Sequence, residues 1–323
     1  MKKISTAGLV VVALWGVPSP AQGQGWYLGS ELGGHAVGAL GITGLSSDRA
    51  SVCDEFINPR FATVTQTAGY EGYNCTGPDR ADNWVNQFSR AAGLHTSWVL
   101  GYRFGADASG PRLSHLRVEA EYFYRSTFYD ETVGVPGLAA GSGSVTADKL
   151  NQELQTATDY FGSVSSHTAF ANLYWDIRSG ARVTPYIGVG VGIGSTAAGY
   201  GSLWSRNANP AAIRTGEGLP NADEIRRNLA ATTSSFQGVV SDTVVSQQVL
   251  FGVNYALTED VSLGVKGRWV RVGAFEGDPP IVWDPLRSHV PNLRRDGSEP
   301  VSGQLLTDPS TLWGVGLSLT YHF

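Results

Sequence analysis

The chain has 323 residues, of which 41 are glycine, nine are tryptophan and only one is methionine, and its net charge is −5. That charge gives no sign of a nucleic-acid partner, and no stretch approaches the length of uninterrupted apolar sequence that a membrane-spanning helix needs. The composition instead suits a β protein in which apolar and polar side chains alternate.

The amino terminus has the features of an export signal. Two early lysines precede an apolar run over 7–17, and 21–23 offers small residues for cleavage. We therefore predict a signal peptide over 1–23 and a single barrel domain over 24–323.

Eight later stretches alternate between apolar residues and polar or small residues, as strands with one face toward lipid do. The clearest is LRVEAEYFYR, in which arginine or glutamate occupies four of the five alternate positions and cannot pack against an ordinary dry core. The predicted strands are Gly25–Val37, Leu94–Phe104, Leu116–Arg125, Thr168–Arg178, Val183–Gly194, Thr243–Leu257, Val261–Val270 and Thr311–Phe323.

Long and short connections alternate between these strands. The long ones fall at about 38–93, 127–162, 195–242 and 273–309, with spacing typical of short surface helices over 145–160 and 221–231. This predicts an all-β fold, an eight-stranded antiparallel up-and-down transmembrane β-barrel with four long extracellular loops. Both termini lie on the side of the short turns, which we expect to be periplasmic.

The first long loop carries both cysteines, Cys53 and Cys75, in a segment rich in turn-forming residues. In an exported chain a disulfide between them is the first interpretation, ahead of two free thiols.

The strand sequences resemble a known family. The stretches TPYIGVGVGIG, LRVEAEYFYR and the ending WGVGLSLTYHF are similar to those of the opacity-protein and surface-antigen family of small outer-membrane barrels, which is related in fold to OmpA-type membrane domains. The ending, with Tyr321 and the terminal Phe323, also resembles the signal that the barrel-assembly machinery reads. The resemblance covers the strands only. It implies a surface-exposed barrel whose loops contact the host or surroundings, sometimes with weak pore activity.

Ten charged residues fall on the predicted inner face of the barrel. Only about one layer of side chains fits inside eight strands, and unpaired charges there are costly, so we interpret them as an ion-pair network that fills the lumen. The alternative is that they line a narrow ion path. They are Glu31, Arg103, Arg117, Glu119, Glu121, Arg125, Asp176, Arg178, Lys266 and Arg268.

A lipid-modifying enzyme is a third hypothesis, because His95 and Ser97 form a His-x-Ser pair that resembles that of the lipid A deacylases. Both residues share a face, as a base and a nucleophile require. That face points inward, away from acyl chains, and Trp98 stands where that family has asparagine. We therefore predict no catalytic residues, and the scattered histidines and aspartates lack the spacing of metal ligands.

The sequence thus predicts a non-enzymatic surface protein of the bacterial outer membrane, structural or adhesin-like, that acts through extracellular loops. A small porin with a charged lumen is the alternative. The expected partners are outer-membrane lipid, the assembly machinery and an unknown extracellular partner, and no cofactor is expected.

Overall fold

The computed structural model describes residues 24–46, 82–105, 114–135, 154–177, 182–213, 220, 222–283 and 303–323. The predicted signal peptide over 1–23, the predicted disulfide between Cys53 and Cys75, and the predicted lumen charge Arg178 lie outside these residues.

Eight of the twelve strands form a closed antiparallel barrel in the order β1-β12-β9-β8-β7-β6-β5-β4, and the other four form a sheet in the order β10-β11-β2-β3. The predicted eight-stranded antiparallel barrel is therefore confirmed. Among the described residues, no helix is long and apolar enough to cross a membrane. The strands are β1 Gly25–Val37, β2 Leu40–Ser46, β3 Asp82–Phe88, β4 Ala91–Arg103, β5 Leu116–Gly134, β6 Leu154–Asp176, β7 Val183–Arg206, β8 Thr233–Ala256, β9 Val261–Val272, β10 Phe275–Glu276, β11 Gly303–Thr307 and β12 Ser310–His322.

The half of the barrel near the chain termini, here called the lower barrel, exposes a band of large apolar side chains. On β7 the outward residues Ile187, Val189, Val191 and Ile193 are each 53–62% exposed. Outward residues of the other barrel strands continue this band, with aromatic rings such as Trp98 and Trp313 among them. A continuous apolar surface of this size is unfavourable in water and rare on soluble proteins. The lower barrel therefore spans a membrane.

The polarity of both faces inverts along β7. Above Ile193 the outward positions become small or polar, beginning with Ser195 and Ala197, while the inward positions change from glycine to the buried Ala198 and Tyr200. The pairing of β7 with β8 shows no register shift across this point. The same pleat therefore passes from a lipid-facing barrel to a water-facing extension, here called the upper barrel.

Four neighbouring strands are interrupted where the upper barrel begins. The interruptions separate β1 from β2, β4 from β3, β9 from β10 and β12 from β11, and each spans two residues. The small sheet orders its strands β3-β2-β11-β10, which repeats the order β4-β1-β12-β9 of the strands below. The small sheet is thus the upward continuation of that half of the barrel. Residues within the interruptions still bond to the neighbouring strands, with Gly38 N donating to Thr311 O at 3.3 Å and Gly273 N to Val245 O at 2.9 Å.

Both edges of the small sheet meet the long strands of the other half. At one edge Ser89 donates from its backbone N and from its Oγ to the Glu131 carboxylate, at 2.6 and 2.9 Å. At the other edge Ser241 and Asp278 exchange two backbone bonds of 2.8 and 2.9 Å. The walls enclose an apolar core that includes Ile42, Trp84, Phe88, Phe161, Val240 and Leu305.

The strands extend into stretches that the sequence assigned to long loops. The segment 38–93 contains β2 and β3, β5 and β6 enter 127–162, β7 and β8 enter 195–242, and β10 and β11 lie within 273–309. The reason is the inverted polarity, because an apolar outer face no longer marks a strand above the membrane. A predicted helix over 145–160 is wrong for 154–160, which is strand. The helix predicted over 221–231 is confirmed as α1, Ala222–Leu229.

Candidate functional site

The lowest part of the lumen holds a cluster of charges around Arg117. Its Nε lies 3.2 Å from Asp176 Oδ1, and Arg103 Nε lies 3.5 Å from the other oxygen of the same carboxylate. Arg117 also pairs with Glu119, which accepts a bond of 2.8 Å from the Tyr27 hydroxyl. Its guanidinium stacks 4.1 Å from the centre of the Tyr174 ring. Arg117 and Glu119 are two residues apart on β5, so both side chains point to the same face of the strand. This ion pair therefore forms within one strand once that face points inward.

The middle of the lumen is organised by Arg268, which is completely buried. Its Nη2 bridges two carboxylates from different strands, pairing with Glu31 and lying 2.9 Å from Glu121 Oε1. Lys266 Nζ lies 3.4 Å from Glu31 Oε2, so two cations share that carboxylate. These charges are far apart in the chain and meet only because the barrel closes.

Two amide side chains complete the coordination of Glu121. Its Oε2 accepts from Asn172 Nδ2 at 2.8 Å and from Gln248 Nε2 at 2.9 Å. Gln248 Nε2 also donates to Asn172 Oδ1 at 2.8 Å, and Arg268 Nη1 donates to Gln248 Oε1 at 3.3 Å. Buried carboxylates are stable only when such donors satisfy their lone pairs. Gln248 was not singled out by the sequence analysis, since an amide among apolar residues carries little signal.

The nine predicted lumen charges within the described residues are all buried inside the barrel, but one of them stands apart. Four carboxylates and four cations form the two clusters. The carboxylates are Glu31, Glu119, Glu121 and Asp176, and the cations are Arg103, Arg117, Lys266 and Arg268. The ninth charge, Arg125, is the next inward residue of β5 above Phe123. Its partner is a hydroxyl, because its Nη1 donates to Thr127 Oγ1 at 3.2 Å.

Packing fills the space between these charges. Gly188, Gly190 and Gly192 of β7 lie beside large side chains of β6, and a Cβ added to Gly188 would come 2.5 Å from Tyr174 Cδ1. The glycines therefore make room for neighbours that occupy the lumen. Above the charges, the polar interior ends against the apolar core of the upper barrel.

His95 and Ser97 both serve the lumen network. His95 Nε2 lies 3.0 Å from Glu31 Oε1, and Ser97 Oγ donates to Glu31 Oε2 at 3.3 Å. Both residues are buried on the inner face, where an acyl chain in the membrane has no route to them. Within the described part of the chain, no group of three or more His, Cys, Asp or Glu residues is placed to hold a metal ion.

A buried carboxyl in the upper barrel was missed by the sequence analysis. Asp159 of β6 accepts at Oδ2 from Trp84 Nε1 at 2.7 Å and from Asn86 Nδ2 at 2.6 Å. Both donors lie on β3, so the carboxyl joins the small sheet to the opposite wall. Asp159 lies well above the membrane band, which on β6 ends near Ala169 beside Ile193. Burial raises the pKa of this carboxyl above its ordinary value, and the bond from Trp84 opposes that rise.

Comparison with known proteins gives structural similarities alone. No family model matches the chain, and no curated protein matches it. Among solved structures, it is similar to Neisserial surface protein A at 12% identity, covering 92% of this chain and 97% of that one with a TM-score of 0.38. It is also similar to the outer membrane protein OprG of Pseudomonas aeruginosa at 10% identity, covering 94% of this chain and 99% of that one with a TM-score of 0.36. The similarity to the outer membrane protease OmpT of Escherichia coli is at 9% identity, covering 92% of this chain and 97% of that one with a TM-score of 0.33. Likeness at this level does not bear on function.

Replacing Arg268 by Met is expected to destabilise the barrel by about 3–5 kcal/mol, because Glu31 and Glu121 each lose a buried partner. The measurement is equilibrium unfolding by denaturant in lipid vesicles. Arg271→Met is the matched control, since Arg271 lies on the same strand but is exposed, and it should change stability by no more than about 0.5 kcal/mol. Equal effects of the two substitutions would show that the network is not held by Arg268.

Replacing Asp159 by Asn is expected to stabilise the upper barrel increasingly as the pH rises. The raised pKa means that folding favours the neutral carboxyl, so its stabilising contribution is complete below the unfolded pKa of about 4 and is lost as pH rises through the folded value. The asparagine oxygen can still accept from Trp84 and Asn86. Denaturant unfolding of both proteins from pH 4 to pH 8 checks this, and a stability difference that does not vary with pH would contradict it.

Proposed function

We propose that this chain is a non-enzymatic surface protein of the bacterial outer membrane, which presents the upper barrel and its attached segments to partners outside the cell. The observation that carries the proposal is the continuation of the strands beyond the membrane band. β7 has 24 residues, whereas a membrane-spanning β-strand needs about 9–11. More than half of this strand therefore lies outside the membrane.

The upper barrel is suited to presentation because it is a folded body. Its interior is apolar and its outer positions on β7 and β8 are mostly small or polar, as in a water-soluble β protein. A rigid support of this kind fixes the points at which the attached segments join it, and binding residues commonly lie on such segments. The segments 47–81, 136–153 and 284–302 begin and end at the upper barrel.

The interior argues against a porin. Conduction needs a continuous water path, whereas the described lumen holds paired charges below and an apolar core above. The interior also argues against a lipid-modifying enzyme, since His95 and Ser97 are engaged with Glu31 on the inner face. The proposed orientation has the termini and the tight turn at 257–261 in the periplasm. Leu257 N donates to Val261 O at 2.9 Å in that turn.

Cysteine labelling on intact cells tests this presentation. In a background of Cys53→Ser and Cys75→Ser, Gln237→Cys places a thiol on the outer face of the upper barrel, and Glu259→Cys places one in the tight turn; both positions are exposed. A membrane-impermeant maleimide should label Gln237→Cys on intact cells and Glu259→Cys only after the outer membrane is broken. The reverse pattern would contradict the proposed orientation.

Conductance recordings of the wild-type protein in planar bilayers test the absence of a pore. Correctly folded protein should give no steady conductance above that of lipid alone. Steady current steps that Arg117→Ala or Glu119→Ala alters would overturn the non-conducting part of the proposal.

A further inference from the structure

Arg125 is the one lumen cation without a carboxylate partner among the described residues. It is 5% exposed, and its bond to Thr127 Oγ1 uses one of the five N–H groups of a guanidinium. His35 Nε2 bonds the same Thr127 hydroxyl at 2.9 Å. The carboxyl of Asp159, which is buried in the upper interior, is engaged by Trp84 and Asn86.

Among the lumen charges of the described residues, Arg125 is an excess of one positive charge. The four carboxylates and the other four cations of the two clusters cancel. An arginine does not lose its proton in a protein, and an uncompensated buried charge is strongly destabilising. The interior therefore favours the presence of one negative charge close to Arg125.

A cavity adjoins Arg125 at the level where the polarity of the barrel inverts. Its volume is about 40 Å³, and its lining includes hydroxyl-bearing Tyr129, Thr196 and Ser310 among apolar residues such as Phe161 and Val272. That volume exceeds the roughly 10–15 Å³ that one water molecule requires. Gly273 also lines the cavity. It lies in the interruption between β9 and β10, and Ser310 begins β12 directly after the interruption that follows β11. The cavity thus combines a buried cation, hydroxyl groups and a position beside two of the strand interruptions.

We propose that this cavity binds a small monovalent anion, held by the Arg125 guanidinium and by the hydroxyl of Thr196, which donates to the anion while it accepts from Ser166 Oγ, 3.0 Å away. One negative charge matches the single excess positive charge, and a divalent anion would leave a new unpaired charge in the interior. The apolar walls favour an anion that sheds water easily, so chloride, bromide and a short monocarboxylate such as acetate share the required chemistry. Sulfate does not, because it is divalent and larger.

Chloride NMR on the folded full chain in detergent micelles tests the site. Wild-type protein should broaden the ³⁵Cl resonance beyond the micelle background, and Arg125→Gln should remove most of that excess. Arg271→Gln, which deletes an exposed cation instead, should retain it. Equal broadening by all three proteins would overturn the proposal.

Competition identifies which anion the cavity accepts. Bromide should remove the chloride broadening at millimolar excess; acetate will also do so if the site takes carboxylates and will not if it takes halides only. Displacement by sulfate as effective as by bromide would contradict a monovalent site.

A crystallographic measurement decides the matter if Arg125→Gln does not fold. Wild-type crystals soaked in bromide should show an anomalous peak within hydrogen-bond distance of the Arg125 guanidinium. A peak there supports the site, and its absence in well-soaked crystals that show bromide elsewhere rejects it.

Discussion

The structure depends on one constraint: the paired strands β7 and β8 pass from lipid into water without changing register. A β-strand has only two faces, and the pairing of β7 with β8 keeps the same residues outward along its whole length. The outer face must therefore be apolar beside lipid and polar above it, and the inner face must do the opposite. Ile193 and Ser195 are consecutive outward residues on the two sides of that boundary.

The two interiors follow from this constraint. Below the boundary, polar residues face inward, and Arg268 and Lys266 with Glu31 and Glu121 show how charges from three strands neutralise one another. Above it, the interior is apolar, and Asp159 is a single carboxyl satisfied by Trp84 and Asn86. Arg125 lies between the two regions, where neither the carboxylates below nor an apolar surrounding stabilises its charge. The proposed anion would complete the neutralisation at that level.

The sequence predicted the membrane strands well because lipid and a charged lumen impose opposite chemistry on alternate residues, as in LRVEAEYFYR. The partners within the lumen could not be predicted, since Glu31 and Arg268 meet only after the first and last strands pair with their neighbours. The upper strands could not be predicted, because a segment such as 154–164 buries its apolar residues Ala157 and Phe161 and carries two register shifts in the β6–β7 pairing. Alternation of that kind is typical of an ordinary soluble strand, whereas an apolar outer face marks only the strands beside lipid.

Site-directed spin labelling along β7 in lipid vesicles tests the inversion most directly. Nitroxides at Ile187, Val189, Val191 and Ile193 should be accessible to oxygen dissolved in lipid, and those at Ser195, Ala197 and Leu203 to a water-soluble nickel complex. Labels at the intervening positions should be shielded from both throughout. Oxygen accessibility that continues past Ser195, or a shift of the accessible positions from odd to even, would contradict a single pleat that crosses from lipid to water.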